Sequence, residues 1–593
     1  MLKVAFLTIL NLRLLCVCAN NINTNLQAGP DQVVHGQSPI FSQSRVIVGM
    51  SVKLEEFMNF PMSRRDVSRS FGFALSVCLT VGSYASPSFA QSTAFRQAVA
   101  ETAASDADIA GWYRTTAYDP IWTDADDADR RTALLTVLES AADHGLPVVR
   151  YNAKTLRAAF VAARTEGDRG RLEVMMTRAF LDYAHDVHSG VLVPAKIDPG
   201  IVRDVPVLNP RASLAAVTDA NPMEFLRGLP PKSPAYAMLM KEKIRLEAVI
   251  AHGGWGQDVA AQAIKPGATG NSVVQLRDRL VALNYLPKTS SQTYDAAMQA
   301  SVQDFQVNYG LEATGIANES TIYQLNIDPE DRLKSVLVAM ERERWLNIDR
   351  GSRYVWVNLT DFTAKIIDHG KVTFETRSVV GKNVSDRRTP EFSDQIEFMV
   401  VNPSWNVPRS ITTKEYLPLL QRNPNAAGQL NIIDRNGRVV PRGAINFAAY
   451  TAKTFPFSMR QAPSDSNALG IVKFMFPNPY NIYLHDTPSK SLFAQEVRDF
   501  SHGCIRLGDP VDFAHALLAV QSDDPVGEFA RNLSTGRETS VKLLDPVPVH
   551  LVYFTAYPTA KGRMTYRRDV YGRDALIYTA LTEAGVASDG VQG

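Results

Sequence analysis

The chain has 593 residues, too many for one hydrophobic core, and this length points to three or four domains. A formal net charge of +1 with 21% charged residues gives no strongly basic domain, which argues against nucleic acid as a partner. No uninterrupted apolar run after residue 91 is long enough to span a bilayer.

Residues 1–61 read as an upstream extension without periodicity. At Met62 a better-defined pattern begins: Arg64, Arg65 and Arg69, an apolar run over 71–82, and Ser88-Phe89-Ala90 before Gln91. Basic, apolar and small residues in that order predict a signal peptide over 62–90, with translation starting at Met62 and export of the mature chain. Its removal takes away Cys16, Cys18 and Cys78 with the leader, leaving Cys504 as the sole thiol and no intramolecular disulfide.

Residues 91–265 carry apolar residues at three- and four-residue spacing, over 132–142 and again over 171–181, and predict a helical domain. Gly145-Leu146-Pro147 is expected to end the first helix, while Asn221-Pro222 and Gly228-Leu229-Pro230-Pro231 read as loops. His185 and His188 could share a helix face, but a zinc site needs a third ligand that nothing nearby supplies. No metal or other cofactor is expected in the chain.

Residues 266–327 predict a small three-helix module. Ser272 is the expected cap of a helix that buries Val273, Leu276, Leu280 and Leu283. Asp295 caps a second, with Met298, Val302, Phe305 and Tyr309 inward and Gly310 at its end; 320–325 form a third.

After a charged helix around 333–345 the pattern turns to β, with strands at 354–359, 365–368, 371–380 and 395–402. Residues 409–470 read as irregular, far longer than an ordinary connection, and are expected to be a capping loop. A strand pair over 474–484 leads into His485. Asp509 is the expected N-cap of a helix with Pro510 at N1, 547–554 is a late strand, and 578–593 reads as a polar tail.

The chemistry concentrates in Tyr483-Leu484-His485-Asp486 and Ser501-His502-Gly503-Cys504-Ile505-Arg506. A free thiol with a pKa near 8.5 needs a base or a positive field to act as a nucleophile. Cys504 lies five residues before Asp509, too far for the next helix dipole to supply that field. His502 is adjacent in sequence, whereas His485 at a strand end can approach from a neighbouring strand. Gly503 lets the backbone come close to a substrate, and the amides of Gly503 and Cys504 are candidate oxyanion donors. Residue chemistry leaves three readings open: a nucleophilic cysteine, a zinc site of His485, His502 and Cys504, or a buried structural thiol.

His485 followed by Ser501-His502-Gly503-Cys504-Ile505-Arg506 resembles the signature of the L,D-transpeptidase catalytic domain, called YkuD. Val380-Gly381-Lys382, Arg388-Thr389-Pro390, Asn402-Pro403-Ser404-Trp405-Asn406-Val407-Pro408, Asn467-Ala468-Leu469-Gly470 and Phe476-Pro477-Asn478 are similar to its large YcbB-like periplasmic subfamily. Gly267, Gly270, Val273, Leu276, Tyr294-Asp295, Gly310-Leu311, Thr314-Gly315 and Thr321 resemble a peptidoglycan-binding domain, although Ala313-Thr314 departs from its acidic turn. Ser464 and Arg506 depart from the commonest residues of the catalytic family.

The resemblance implies a multidomain α+β protein: a helical scaffold domain (91–265), a peptidoglycan-binding module (266–327) and a mainly-β catalytic domain (333–577) with its capping loop. It implies a periplasmic enzyme that joins peptidoglycan stems by 3–3 cross-links through a cysteinyl thioester, using a tetrapeptide stem as donor and a second stem as acceptor. An L,D-carboxypeptidase and a silent wall-binding scaffold are the alternatives, and other wall-synthesis enzymes are the implied partners. In that reading Cys504 is the nucleophile, open to acylation by carbapenems, and His485 is the general base, oriented by the carbonyl of Asp486. His502, Gly503 and Ser501 shape the turn and the oxyanion region, Arg506 supports the loop or meets a substrate carboxylate, and Tyr483, Trp405 and Asn406 line the cleft.

Overall fold

The computed structural model describes residues 87–219 and 221–586. The upstream extension and the signal segment as far as residue 86 lie outside the described residues, and Pro87 opens the first described helix.

The helical domain is built around Glu166–Ser189, a 24-residue helix that starts with a reciprocal cap between Thr165 and Asp168. It buries Leu172, Met176 and Phe180 against Trp122, Leu134 and Leu138. Buried Glu173 is satisfied by Tyr113 Oη at 2.8 Å, the Ile121 amide at 2.7 Å and Thr123 Oγ1 at 2.8 Å, so one carboxylate ties the loop over 121–123 to the helix. The helix Ala128–Glu139 ends earlier than expected, and a 3₁₀ turn over Ala141–His144 carries the chain to Gly145, which takes the left-handed φ of +62°. Asn221-Pro222 opens a helix and not a loop, because Asn221 Oδ1 caps the amides of Met223 and Glu224. His185 faces Asp186, and His188 faces the Leu229 carbonyl and Asn347, so the two rings do not converge on a common ligand.

The three-helix module comprises Asn271–Ala282, Ala296–Asn308 and Glu319–Leu325. Val273, Leu276, Leu280, Met298, Val302, Phe305 and Tyr309 are buried, and Leu283 is half-buried. Asp295 caps the second helix through the Met298 amide at 2.9 Å. Ser272 is not the cap of the first: Gly270 holds that position, and Ser272 Oγ donates instead to the Ala260 carbonyl. Gln306 lies fully buried, donating to Ile316 O and Thr321 Oγ1 and accepting from the Gly315 amide, which ties the Thr314-Gly315 turn to the second helix.

The helix Pro329–Trp345 packs between the helical domain, the three-helix module and the β segments, and its charges are buried: Glu341, Arg342, Glu343 and Arg344 are each at most 3% exposed. Each buried charge needs a partner. Arg344 pairs with Glu341 at 2.7 Å, and Arg342 pairs with Glu391. Glu391 also takes Arg573 at 3.0 Å, and Arg573 reaches Asp198.

The catalytic-type domain is a nine-stranded sheet. Its strands are β1 (Arg353–Asn358), β2 (Thr363–Asp368), β3 (Lys371–Gly381), β4 (Phe392–Val401), β8 (Val472–Met475), β9 (Leu484–His485), β10 (Asp499–Ser501), β11 (Ile505–Leu507) and β12 (Thr539–Val552). Their order is β10-β3-β11-β9-β8-β4-β12-β1-β2, and β2 pairs back onto β3, so the sheet closes on itself. The core face carries Val357, Phe474, Leu484, Ile505 and Leu551, covered by the helix Pro510–Leu518, where Phe513 meets Phe474 edge-to-face at 4.7 Å. Asp509 precedes that helix but does not cap it with its side chain, because its carboxylate accepts from Thr376 Oγ1.

Residues 409–470 are not irregular. They contain a helical stretch from Arg409 to Arg422 and, with Trp405–Asn406 (β5), Leu430–Ile433 (β6) and Ser458–Gln461 (β7), a three-stranded sheet in the order β5-β7-β6. Val407, Leu417, Leu420, Ile432, Phe447, Phe455 and Met459 give this cap its own core. Its Asn-, Pro- and Gly-rich sequence hid short elements below the length at which periodicity is legible. The expected tail is corrected too. Helix Arg573–Glu583 buries Ile577 and Leu581, and Val586 follows them into the core shared with Pro329–Trp345.

Leu581 is buried and Leu576 is 47% exposed on the same helix. Leu581→Ala is therefore expected to cost about 2–4 kcal/mol and Leu576→Ala under ~0.5 kcal/mol, read from chemical denaturation of the two variants.

Candidate active site

The site follows from one stretch of register. β11 runs parallel to β9 with Ile505 beside Leu484 and Arg506 beside His485, and β8 runs antiparallel to β9 with Lys473 beside His485. Side chains alternate along a strand, so Leu484 and Ile505 enter the core while His485 and Arg506 face the other way. One step of alternation earlier on each strand come Tyr483 and Cys504, on that same face. Two short strands thus group Tyr483, His485, Cys504 and Arg506 into one patch. The rings of Tyr483 and His485 meet edge-to-face at 5.5 Å.

The patch floors a cavity of about 720 Å³. Trp405, Asn406, Ile411, Glu415 and Tyr416 of the cap roof it, and Arg387 and His502 stand at its side. All three residues expected to contact substrate, Tyr483, Trp405 and Asn406, line this one space.

His485 is 4% exposed and donates Nδ1–H to the Asp486 carbonyl at 2.5 Å. That bond fixes the tautomer and leaves Nε2 as an acceptor. The Asp486 carboxylate does separate work: it accepts from the amides of Ile471 and Thr487 and from Lys490 Nζ at 2.7 Å. Gly470, at φ +59°, leaves room for it, since a Cβ there would fall 2.1 Å from Asp486 Oδ2. The Asn467–Gly470 turn is thereby pinned where the cap returns to the sheet.

Cys504 is half-buried, the only cysteine among the described residues, and its Sγ lies 3.4 Å from the Asn481 carbonyl. Burial pushes its thiol up to about 11, against a pull from the Tyr483 amide and hydroxyl and from Arg506 and Lys473. Burial also pulls the His485 imidazole down to about 3, assisted by Arg506. At neutral pH the resting pair is therefore neutral thiol and neutral imidazole, so the imidazole is free to accept the thiol proton.

The turn carrying Cys504 is held from below. Ser501 Oγ donates to the Cys504 carbonyl at 2.5 Å and accepts from the Gly503 amide at 3.1 Å. The Gly503 amide is thus engaged inside the turn and is not a free oxyanion donor, in contrast to the sequence expectation. Gly503 sits at φ +118°, and a Cβ would meet Ile482 Cδ1 at 3.1 Å. Its carbonyl accepts from Thr389 Oγ1 at 2.7 Å, and Thr389 Oγ1 accepts from the Gly381 amide. Tyr571 Oη donates to the Gly381 carbonyl at 2.6 Å. Thr389 and Tyr571 carried no role in the sequence reading; the only signal was the Thr-Pro pair after Arg388.

His502 turns away from the thiol. Its Nε2 lies 2.7 Å from Glu415 Oε1 in the cap, and Arg387 reaches the same oxygen at 2.8 Å. Lys414 pairs with Asp386 at 2.7 Å alongside. These contacts latch the cap to the two loops beside Cys504, and they engage His502 with the cap instead of with His485 and Cys504 as a metal set.

Residues 352–541 match the L,D-transpeptidase catalytic domain, 269–325 a putative peptidoglycan binding domain, and 107–242 a scaffold domain. A putative L,D-transpeptidase of Haemophilus influenzae is 34% identical over 247 residues, 41% of this chain and 49% of that protein. The chain thus spans about half the length of this curated relative. Crystal structures of L,D-transpeptidases from Xylanimonas cellulosilytica and Stackebrandtia nassauensis cover 50% of this chain and 100% and 97% of their own, each at 14% identity. Their TM-scores are 0.17 and 0.19, too low to add to the domain matches. The chain therefore carries an L,D-transpeptidase catalytic domain behind a peptidoglycan-binding domain.

A neutral thiol predicts that Cys504 alkylation by iodoacetamide keeps rising through pH 9, with its inflection above that value. A plateau already reached at pH 7 would show a resting ion pair instead. Glu415→Gln removes the carboxylate shared by Arg387 and His502, and alkylation by a bulky maleimide is expected to speed up by about 3-fold. The small iodoacetamide should react at an unchanged rate.

Proposed function

We propose that the chain uses this domain as a peptidoglycan L,D-transpeptidase forming 3–3 cross-links, with Cys504 as nucleophile and His485 as general base. The single observation that supports this reading most is the shared face of Tyr483, His485, Cys504 and Arg506 under a roofed cavity of peptide size. As His485 Nε2 takes the thiol proton, Cys504 Sγ attacks the carbonyl of the L-centre of diaminopimelate in a tetrapeptide stem. The S–C bond forms, the C–N bond to the terminal D-alanine breaks, and the proton passes from His485 to the leaving amine. The side-chain amine of a second stem then attacks the thioester. Its proton returns through His485 to the sulfur, and the thiol is restored.

In this scheme Tyr483 steadies the sulfur as charge develops, while Ser501 and Gly503 hold the turn. Arg506 supplies positive charge beside the reacting carbonyl, and Trp405 and Asn406 bound the stem from the cap. His502 acts on the cap through Glu415. The peptidoglycan-binding domain would hold the glycan near the cavity, and other wall-synthesis enzymes would supply the tetrapeptide stem. Such a substrate places the protein outside the cytoplasm, and we assign it to the periplasm. No helix of the described residues is long and apolar enough to cross a membrane. The same thiol would be acylated by carbapenems.

Incubation of the purified protein with a disaccharide-tetrapeptide, followed by mass spectrometry, should yield dimers lacking one D-alanine. Tripeptide products alone would assign a carboxypeptidase, and unchanged substrate would leave a wall-binding scaffold. Cys504→Ala is expected to abolish turnover, and His485→Gln to lower it by about 10²–10⁴-fold with the fold retained.

A further inference from the structure

The cross-strand row through His485 contains a third charged residue, which lies outside the cavity lining and for which the scheme above has no role. Lys473 on β8 stands directly beside His485, as Arg506 does on the opposite flank. Its ammonium lies 5.8 Å from the centre of the Tyr483 ring, whose hydroxyl faces the thiol. A lysine and an arginine on either side of one imidazole would ordinarily be balanced by carboxylates. Here they are not. Arg506 Nε is buried without a hydrogen-bond partner among the described residues, and the charge that would favour the guanidinium is a Cys504 thiolate, which the resting site lacks. Lys473 feels Glu538 and Cys504, and Glu538 is itself engaged by the Ser404 amide.

We propose that Lys473 is a positioning residue of the active site: with Arg506 it brackets His485 on the face that carries Cys504 and makes the imidazolium formed there a readier proton donor to the leaving amine. The charged and titratable groups around His485 are Lys473 from β8, Arg506 from β11, Cys504 and Tyr483 from the adjoining turns, and Asp486 next in its own strand. The cations disfavour the imidazolium and favour the thiolate, so both groups are shifted downward by them. The difference between sulfur and nitrogen that governs the first proton transfer is then little changed by the cations, because both ends move together. What changes is the next step. An imidazolium between two cations is a stronger acid, so it hands its proton on to the leaving amine more readily. Burial alone could not do this, since it lowers the imidazole while raising the thiol.

The inference rests on Cys504 and His485 as the reacting pair but not on the nature of the acyl acceptor. Its test therefore avoids turnover. In protein labelled at histidine, the His485 resonance is identified by its loss in His485→Gln and titrated in wild type, Lys473→Met and Lys473→Arg, beside the pH profile of Cys504 alkylation. Loss of the cation raises both groups. Lys473→Met should move the His485 midpoint upward by about one pH unit and slow Cys504 alkylation at pH 7 by about 10-fold, and Lys473→Arg should restore both. Unchanged midpoints in Lys473→Met with intact melting behaviour, or a shift that Lys473→Arg fails to reverse, would overturn the proposal. The expected shifts together with no product from disaccharide-tetrapeptide would count against the substrate and leave the electrostatic role standing.

Discussion

The parallel pairing of β9 with β11 is the constraint on which the site depends. It is only two residues deep, yet it decides which face of the sheet receives His485 and which receives Leu484. A slip by one residue would exchange them, sending an imidazole into an apolar core and a leucine into the cavity. The register is protected by burial on one side, where Phe474, Leu484 and Ile505 are fully buried, and by flanking strands on the other. The side chains that do chemistry are therefore positioned by the side chains that do none.

Short strands need support from outside the sheet, and here it is polar. Thr389 holds the Gly503 carbonyl, Tyr571 holds Gly381, and Arg573 donates to the Thr389 carbonyl while pairing with Glu391. Glu391 in turn joins the Gly200 carbonyl through its amide and the Val202 amide through its carbonyl. Helix Pro329–Trp345 closes the network through Arg342. Removing one member would leave a buried charge without a partner, which costs several kcal/mol. The turn that carries Cys504 is thus connected through a continuous polar chain to the scaffold domain and to the helix Arg573–Glu583.

The cap adds a second kind of control. It is a small folded unit with its own core, so it can cover the cavity as a body rather than as a loose strand of chain. Its side-chain ion pairs with the floor, through Glu415 and Lys414, are partly exposed, whereas it holds itself together with an apolar core and arginine–carbonyl hydrogen bonds from Arg409 and Arg442. Exposed ion pairs are weak and apolar cores are strong, so the latch opens at far lower cost than the cap unfolds. Beneath it the thiol and imidazole rest uncharged, which avoids burying an ion pair before substrate arrives.

The sequence by itself determined the division into helical, three-helix and β segments, because apolar spacing and caps such as Asp295 are local. It also singled out Cys504 and the strand-end His485, by residue chemistry and by their surrounding motifs. Tertiary structure decided the rest. That Glu341, Arg342 and Arg344 are buried, that residues 409–470 fold, and that the final segment packs as a helix all depend on partners far along the chain. His502 looked like a neighbour of the thiol but belongs to the cap latch, and the Gly503 amide looked free but is held by Ser501. Lys473 gave no signal in its own stretch. It matters only because an antiparallel strand sets it beside His485, and cross-strand neighbours are fixed by register, which a linear sequence does not carry.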